Sequence, residues 1–241
     1  MSEQILHIEN LCIGYKKPIV DTINLNANEK KLICIIGRNG TGKSTLLNTL
    51  SGVTKALSGN IFYNKKNFAK LSLRGRSTMI SYVPSKQEYL SNLSVYELVA
   101  LGRSPYTNIF DKKSIEDKQL IEKNLAEFDL TKLQNKALYE ISDGERQRSM
   151  ICRAIVQQTP IILLDEPTAF LDYYAKQKLL SDLAKLAEEN SKCIIFSSHD
   201  IELSLRYAQI VWLFDNNKIT AMPVEELKKT KLLEKLMNFR F

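Results

Sequence analysis

Residues 32–45, LICII followed by GRNGTGKST, restrict the possible folds of this chain more than any other segment. Five consecutive apolar residues, 32–36, suit a strand covered on both faces, as in the parallel sheet of an α/β protein. The next nine positions hold three glycines, a lysine and hydroxyl side chains. After them, residues 44–50 read as a helix with Leu46, Leu47 and Leu50 on one side. The order is therefore strand, glycine loop, helix.

Gly37-x-x-x-x-Gly42-Lys43-Ser44 is the P-loop pattern, and its setting between strand and helix makes it far more specific than the letters alone. The glycines let backbone amides of Gly37, Arg38, Asn39, Gly40, Thr41 and Gly42 curl round phosphates, and the helix start through Thr45 adds partial positive charge. Lys43 would reach the terminal phosphates, and the Ser44 hydroxyl would ligate Mg²⁺. The bland alternative is a glycine turn with an exposed lysine.

Two further apolar runs end in polar groups. Residues 161–164 (IILL) lead into Asp165, Glu166 and Pro167, and residues 193–196 (CIIF) lead into Ser197, Ser198, His199 and Asp200. Open α/β sheets bind ligands at the carboxyl ends of their strands, which is where residues 32–36 deliver their loop. Asp165 can hold Mg²⁺, Glu166 can polarise a water aimed at a γ-phosphate, and His199 can hydrogen-bond that phosphate. Each has a plainer reading: the acid pair could cap the next helix, and a lone histidine after a strand is usually structural. His7, within residues 5–8, has no polar companion in the pattern and is read as structural.

Composition narrows the class. At 241 residues, 44% hydrophobic and 25% charged, the chain fits one large globular domain or a domain with an inserted part. No apolar run approaches the ~18 residues needed to cross a bilayer, and the start MSEQ lacks signal-peptide character, so a cytoplasmic protein is expected, with any membrane connection made through a partner. Cys12, Cys34, Cys152 and Cys193 have no paired spacing and are read as reduced core residues. The 34 basic residues, a net +7, read as scattered among 27 acids on a solvated surface, and no nucleic-acid partner is expected.

Between the strand ends lies Ile141-Ser-Asp-Gly-Glu145, with a capping box Ser142-x-x-Glu145 opening a helix. The whole set resembles the ATP-binding subunits of ABC transporters, over essentially the full chain. The glycine loop, Asp165 with Glu166, and His199 match that family's Walker A, Walker B and switch histidine in order and spacing, and residues 141–145 stand where the family has LSGGQ. The resemblance implies a RecA-like parallel sheet core with an antiparallel β portion and an inserted helical subdomain. It also implies ATP and Mg²⁺ as ligands and a head-to-tail dimer of two copies. By the same resemblance Tyr15 would stack on adenine, Ser142 and Gly144 would contact the γ-phosphate held by the second copy, and Asp172 would lie in the loop that crosses between subunits.

Two departures bear on activity. Asp143 and Glu145 replace a glycine and a glutamine, placing acids near an anionic ligand; Glu145 is expected to fold back on Ser142, while Asp143 has no such account. In the loop after Tyr82-Val-Pro84, the family glutamine that senses Mg²⁺ and the permease is replaced by Ser85, with Gln87 two residues on, and either could act.

One cassette is expected, with residues 1–86 and 150–241 forming the nucleotide-binding core and 87–149 the helical subdomain. Within the latter, residues 94–102 read as a helix with a capping box and a glycine stop at Gly102. Residues 97–105, with Tyr106 and Phe110, look like the matching stretch in ATPases of iron-siderophore, haem and cobalamin importers. An amphipathic helix is expected over 223–237, packed on the core. The resemblance implies a subunit that powers such an importer from the cytoplasmic face of the membrane, with the permease's coupling helix seated on the helical subdomain and an exported binding protein as an indirect partner. Two other readings stay open: an ABC-type ATPase of DNA repair or chromosome maintenance, and a non-catalytic regulatory ABC subunit.

Overall fold

The computed structural model describes residues 3–85, 92–108, 112–215 and 218–230. Its centre is a six-stranded sheet in the order β10 (Lys218–Pro223), β9 (Ile210–Asp215), β3 (Lys31–Ile36), β8 (Cys193–Ser197), β7 (Ile161–Leu164), β6 (Ile80–Val83). All neighbours run parallel except the edge strand β10. Continuous apolar sequence in β3, β7 and β8 has a direct cause, because alternate side chains enter different cores. Ile33 and Ile35 join one core while Leu32, Cys34 and Ile36 join the other, as expected for a sheet covered on both faces.

The first core is closed by an antiparallel sheet, β2 (Pro18–Asn28), β1 (Gln4–Gly14), β4 (Ser58–Tyr63) and β5 (Lys66–Asn67), and by α1 (Lys43–Ser51), whose Leu46, Leu47 and Leu50 are fully buried. The second is closed by α5 (Asp143–Val156), α6 (Tyr173–Glu189), α7 (Ile201–Tyr207) and α8 (Val224–Lys229). A third apolar cluster gathers α3 (Val95–Ala100), α4 (Ile115–Glu127) and one side of α5. α5 crosses positions 149 and 150 without a break and contributes Ile151 and Ala154 to the second core and Cys152 and Val156 to the third.

Several local expectations hold. Ser94 caps α3, its hydroxyl accepting the Glu97 N–H while the Glu97 carboxylate accepts the Ser94 N–H at 2.8 Å. All four cysteines are free and buried. α8 places Val224 and Leu227 in the second core, but the expected C-terminal helix stops at Lys229, where Thr230 turns extended, and residues 231–237 lie outside the described residues.

Others are corrected. Gly102 does not stop a helix, since the chain continues as a 3₁₀ turn from Leu101 to Tyr106. The glycine serves close packing instead: a Cβ there would stand 2.5 Å from the Arg153 carbonyl oxygen on α5. His7 does have polar companions, Nδ1 lying 2.6 Å from Asn26 Oδ1 on β2 and Nε2 2.8 Å from Glu9 Oε1. Strand pairing brought Asn26 across from His7, and strand alternation put Glu9 on the same face.

Candidate functional site

β3, β8 and β7 are consecutive in the sheet and parallel, so their carboxyl ends deliver the glycine loop, the His199 loop and the acid pair side by side. Local backbone conformation finishes the aim. Gly40 and Gly42 take left-handed φ of 78° and 107°, values an L side chain resists. A Cβ on Gly42 would also meet Ile19 Cγ2 at 2.9 Å. Gly37 is held for a different reason, a Cβ there falling 2.6 Å from Phe214 Cβ on β9. Thr41 closes the loop by donating its hydroxyl to the Arg38 carbonyl at 2.8 Å, and Asn39 and Gly40 form the exposed tip.

α1 starts at Lys43 with Gly42 as N-cap, no side-chain cap and no acid in its first turn. Its first amides are therefore left for an outside acceptor. Lys43 is almost fully buried and donates its ammonium to the Gly37 and Arg38 carbonyls at 2.8 and 3.1 Å. Burial pulls its pKa below the usual lysine range, against the opposing fields of Glu166 and Asp165. Thr45 is buried beside it, and the half-buried Ser44 hydroxyl makes no hydrogen bond to the described residues.

Asp165 continues the ladder past β7, its N–H donating to the Val83 carbonyl at 2.8 Å. Its Oδ1 accepts the Ser197 hydroxyl at 2.6 Å, and the same hydroxyl accepts the Glu166 N–H at 2.9 Å. Ser197 of β8 thus locks the acid pair of β7 in place. Sequence reasoning gave it no role; the available signal was a hydroxyl inside an otherwise apolar strand, two residues before His199. Glu166 has φ +55°, so its direction comes from a left-handed turn rather than from continued strand alternation. Its Oε1 lies 2.7 Å from His199 Nε2. The acid pair caps no helix: the N-cap of α6 is Asp172, whose carboxylate accepts the Ala175 N–H at 2.9 Å. Lys176, one turn into α6, reaches Asp200 beside His199 at 3.6 Å.

The structure thus brings Lys43, Asp165, Glu166 and His199 to one sheet edge. Tyr15 follows β1 and is 66% exposed. Ser142 and Gly144 stand at the start of α5. There the Glu145 carboxylate accepts the Ser142 N–H at 2.8 Å, and the Ser142 hydroxyl caps the Glu145 N–H. That amide holds the Glu145 carboxyl below its ordinary range, burial acting against it. Asp143 pairs with Arg146, one turn on. A Cβ on Gly144 would sit 3.1 Å from the Phe170 carbonyl oxygen, so this helix start packs on the segment leading to Asp172. Ser85 is described as part of a bend, and Gln87 lies outside the described residues.

A protein-family model described as ABC transporter matches residues 20–169, more than half of the chain. The chain belongs to the ABC transporter family. Relatives of this cassette include an uncharacterized ABC transporter ATP-binding protein of Methanocaldococcus jannaschii, 37% identical over 98% of this chain and 82% of that one. The probable siderophore transport system ATP-binding protein of Bacillus subtilis is 33% identical over 92% and 81%. Among solved structures, an inward-facing ABC transporter assigned to the metal-chelate type superposes with a TM-score of 0.84 at 28% identity, covering 98% of this chain and 90% of that one. A dimeric ATP-binding cassette bound to ADP and phosphate in a post-hydrolysis state gives 0.82 at 25%, covering 91% and 99%.

Proposed function

We propose that this cassette hydrolyses ATP as a head-to-tail dimer and drives an importer for an iron chelate, haem or cobalamin. The reading rests on one observation above all: Lys43, the Asp165 and Glu166 pair, and His199 converge at the carboxyl ends of three adjacent parallel strands. Lys43 and the amides of residues 37–45 hold the phosphates, with the uncapped start of α1 supplying the donors. Glu166 takes a proton from the attacking water, and His199, within hydrogen-bond distance of that carboxylate, positions it and meets the γ-phosphate.

The residues present fit Mg²⁺, a hard cation that takes oxygen donors. The Ser44 hydroxyl is uncommitted among the described residues, and Asp165 keeps Oδ2 while Ser197 occupies Oδ1. Ser44 and Asp165 would hold the ion, with Ser85 or Gln87 adding a third donor, and the ion would neutralise developing phosphate charge. Tyr15, exposed after β1, serves the adenine. Ser142 and Gly144 of one copy complete the site of the other, and Asp172 belongs to the crossing segment. Since nucleotide bound between two copies favours the closed pair and hydrolysis removes that bias, turnover can move an attached permease.

Importer cargo is supported by the names of relatives, among them the iron(3+)-hydroxamate import ATP-binding protein of Bacillus subtilis and the cobalamin import ATP-binding protein of Halobacterium salinarum. No helix among the described residues is long and apolar enough to cross a membrane, so attachment at the cytoplasmic face would run through the permease, with residues 87–149 as its seat and an exported binding protein beyond. The two signature acids, which suggested a non-catalytic subunit, are engaged locally by Arg146 and by the capping box. Glu166→Gln should bind ATP and dimerise while turnover falls about 10²-fold or more; wild-type turnover would remove Glu166 as the base.

A further inference from the structure

The net charge of +7 is not evenly spread, contrary to the sequence reading above. Residues 30–87 contain eleven Lys and Arg and no Asp or Glu, leaving 23 cations against 27 acids in the remainder. Two of the eleven, Arg38 and Lys43, belong to the phosphate loop. Six others, Lys55, Lys65, Lys66, Lys70, Arg74 and Arg76, gather on one part of the fold.

Phe68 is the anchor of that region. It is buried in a T-shaped contact with Tyr63 at 5.1 Å between ring centroids, and the Arg76 guanidinium lies over its ring, 4.6 Å from the centroid. A Cβ on Gly52 would touch the Phe68 ring at 2.8 Å, so the loop bearing Lys55 joins the same surface. Lys65 and Lys66 sit at the β4 to β5 turn, where Asn64 and Lys65 take positive φ of 46° and 63°. Lys70 ends the 3₁₀ turn Phe68–Lys70, and Arg74 and Arg76 lie on α2 (Leu73–Ser77). All six are exposed or half-buried. Among the described residues none of them forms an ion pair. Apolar side chains stand among them: Leu73 is 84% exposed, Val53 71% and Leu57 42%.

We propose that this face, whose own segment from Lys55 to Arg76 carries no acid and which meets Glu9 of β1 beside Lys65, is a contact surface for an anionic lipid bilayer. Six unpaired cations distributed over a loop, a turn, an edge strand and a short helix suit an extended sheet of negative charge. The exposed Leu73, Val53 and Leu57 give the face an apolar component that enters the headgroup region, as in other peripheral membrane contacts. A single-stranded nucleic acid would be held by aromatic stacking as well as charge, and no aromatic residue of this face is among the strongly exposed side chains. Arg74 also donates to the Pro105 carbonyl at 3.0 Å, so the face is fastened to the helical part of the cassette.

The test is co-sedimentation of the full chain with neutral phosphatidylcholine vesicles and with vesicles carrying about 30% phosphatidylglycerol. Binding is expected only to the anionic vesicles and should weaken steeply at high salt. The triple variant Lys65→Gln, Lys66→Gln, Lys70→Gln should lower the partition coefficient on the order of 100-fold, with ATP hydrolysis unchanged. Leu73→Ser should lower it by a smaller factor without changing the salt dependence. Equal sedimentation with both vesicle types, unaltered binding by the triple variant, or tighter binding to single-stranded RNA than to the anionic vesicles would each overturn the proposal.

Discussion

Two helix starts in this molecule face opposite electrostatic tasks and are built in opposite ways. α1 begins after Gly42 with no side-chain cap and no acid in its first turn. α5 begins after Ser142 with a complete capping box and two acids, Asp143 and Glu145, in its first turn. An uncapped start leaves amide donors unsatisfied and is stable only when something else accepts from them. The first start is therefore an anion site by construction, whereas the second is already satisfied by its own carboxylate. In the proposed dimer, α5 would offer only the Ser142 hydroxyl and the Gly144 backbone to a nucleotide held elsewhere.

The sharpest way to break this contrast is at α1. Lys43→Ala removes the side-chain ammonium held inside the loop, and kcat/KM for ATP should fall about 10²- to 10³-fold, by analogy with loss of a preorganised transition-state contact. A smaller effect is expected at α5. Gly144→Val places a branched side chain against the Phe170 carbonyl, already 3.1 Å from a bare Cβ. Turnover should drop about tenfold while ATP binding by the isolated chain, followed by equilibrium titration, stays within twofold. Equal loss of binding would mean that this helix start serves its own chain's nucleotide.

Weaker still is Glu145→Gln, which keeps a capping acceptor but removes the charge. Stability should change by less than about 0.5 kcal/mol, and steady-state turnover should rise a few-fold as a negative group leaves the neighbourhood of a phosphate. A comparably small effect is expected on stability against pH. Because the folded Glu145 carboxyl is held below its ordinary range, its contribution is fully present above the unfolded value near 4.3 and is lost as pH falls through the lowered folded value. Thermal melts of wild type and Glu145→Ala should therefore differ by about 1 kcal/mol or less at pH 7 and converge towards pH 3.5. A gap that widened on acidification would mean that the carboxylate is not the cap.

How much of this was legible in the sequence depended on the range of the interaction concerned. The glycine loop, the acid pair and the capping boxes at Ser94 and Ser142 are patterns within nine residues, and their spacing is their geometry. His199 could be placed because three apolar runs each end in polar groups, which suffices once the runs are parallel neighbours. Ser197 escaped notice because its hydroxyl acts across strands, on residues more than thirty positions away. Gly102 was misread because a helix stop and a close helix contact both demand a small residue, and only the Arg153 carbonyl opposite tells them apart. The basic face was missed because a search for runs of like charge does not register a long stretch lacking the opposite one.

By itself, then, the sequence determined which segments are buried strands, where each ends, and which reactive side chains stand at those ends, since strand burial and loop chemistry are local properties of the chain. Tertiary structure alone decided that β3, β8 and β7 are neighbours, that Ser197 ties Asp165 to Glu166, and that Glu166 turns through a left-handed residue to meet His199. Those outcomes depend on strand order and packing, which couple residues far apart in sequence through contacts that no local pattern encodes.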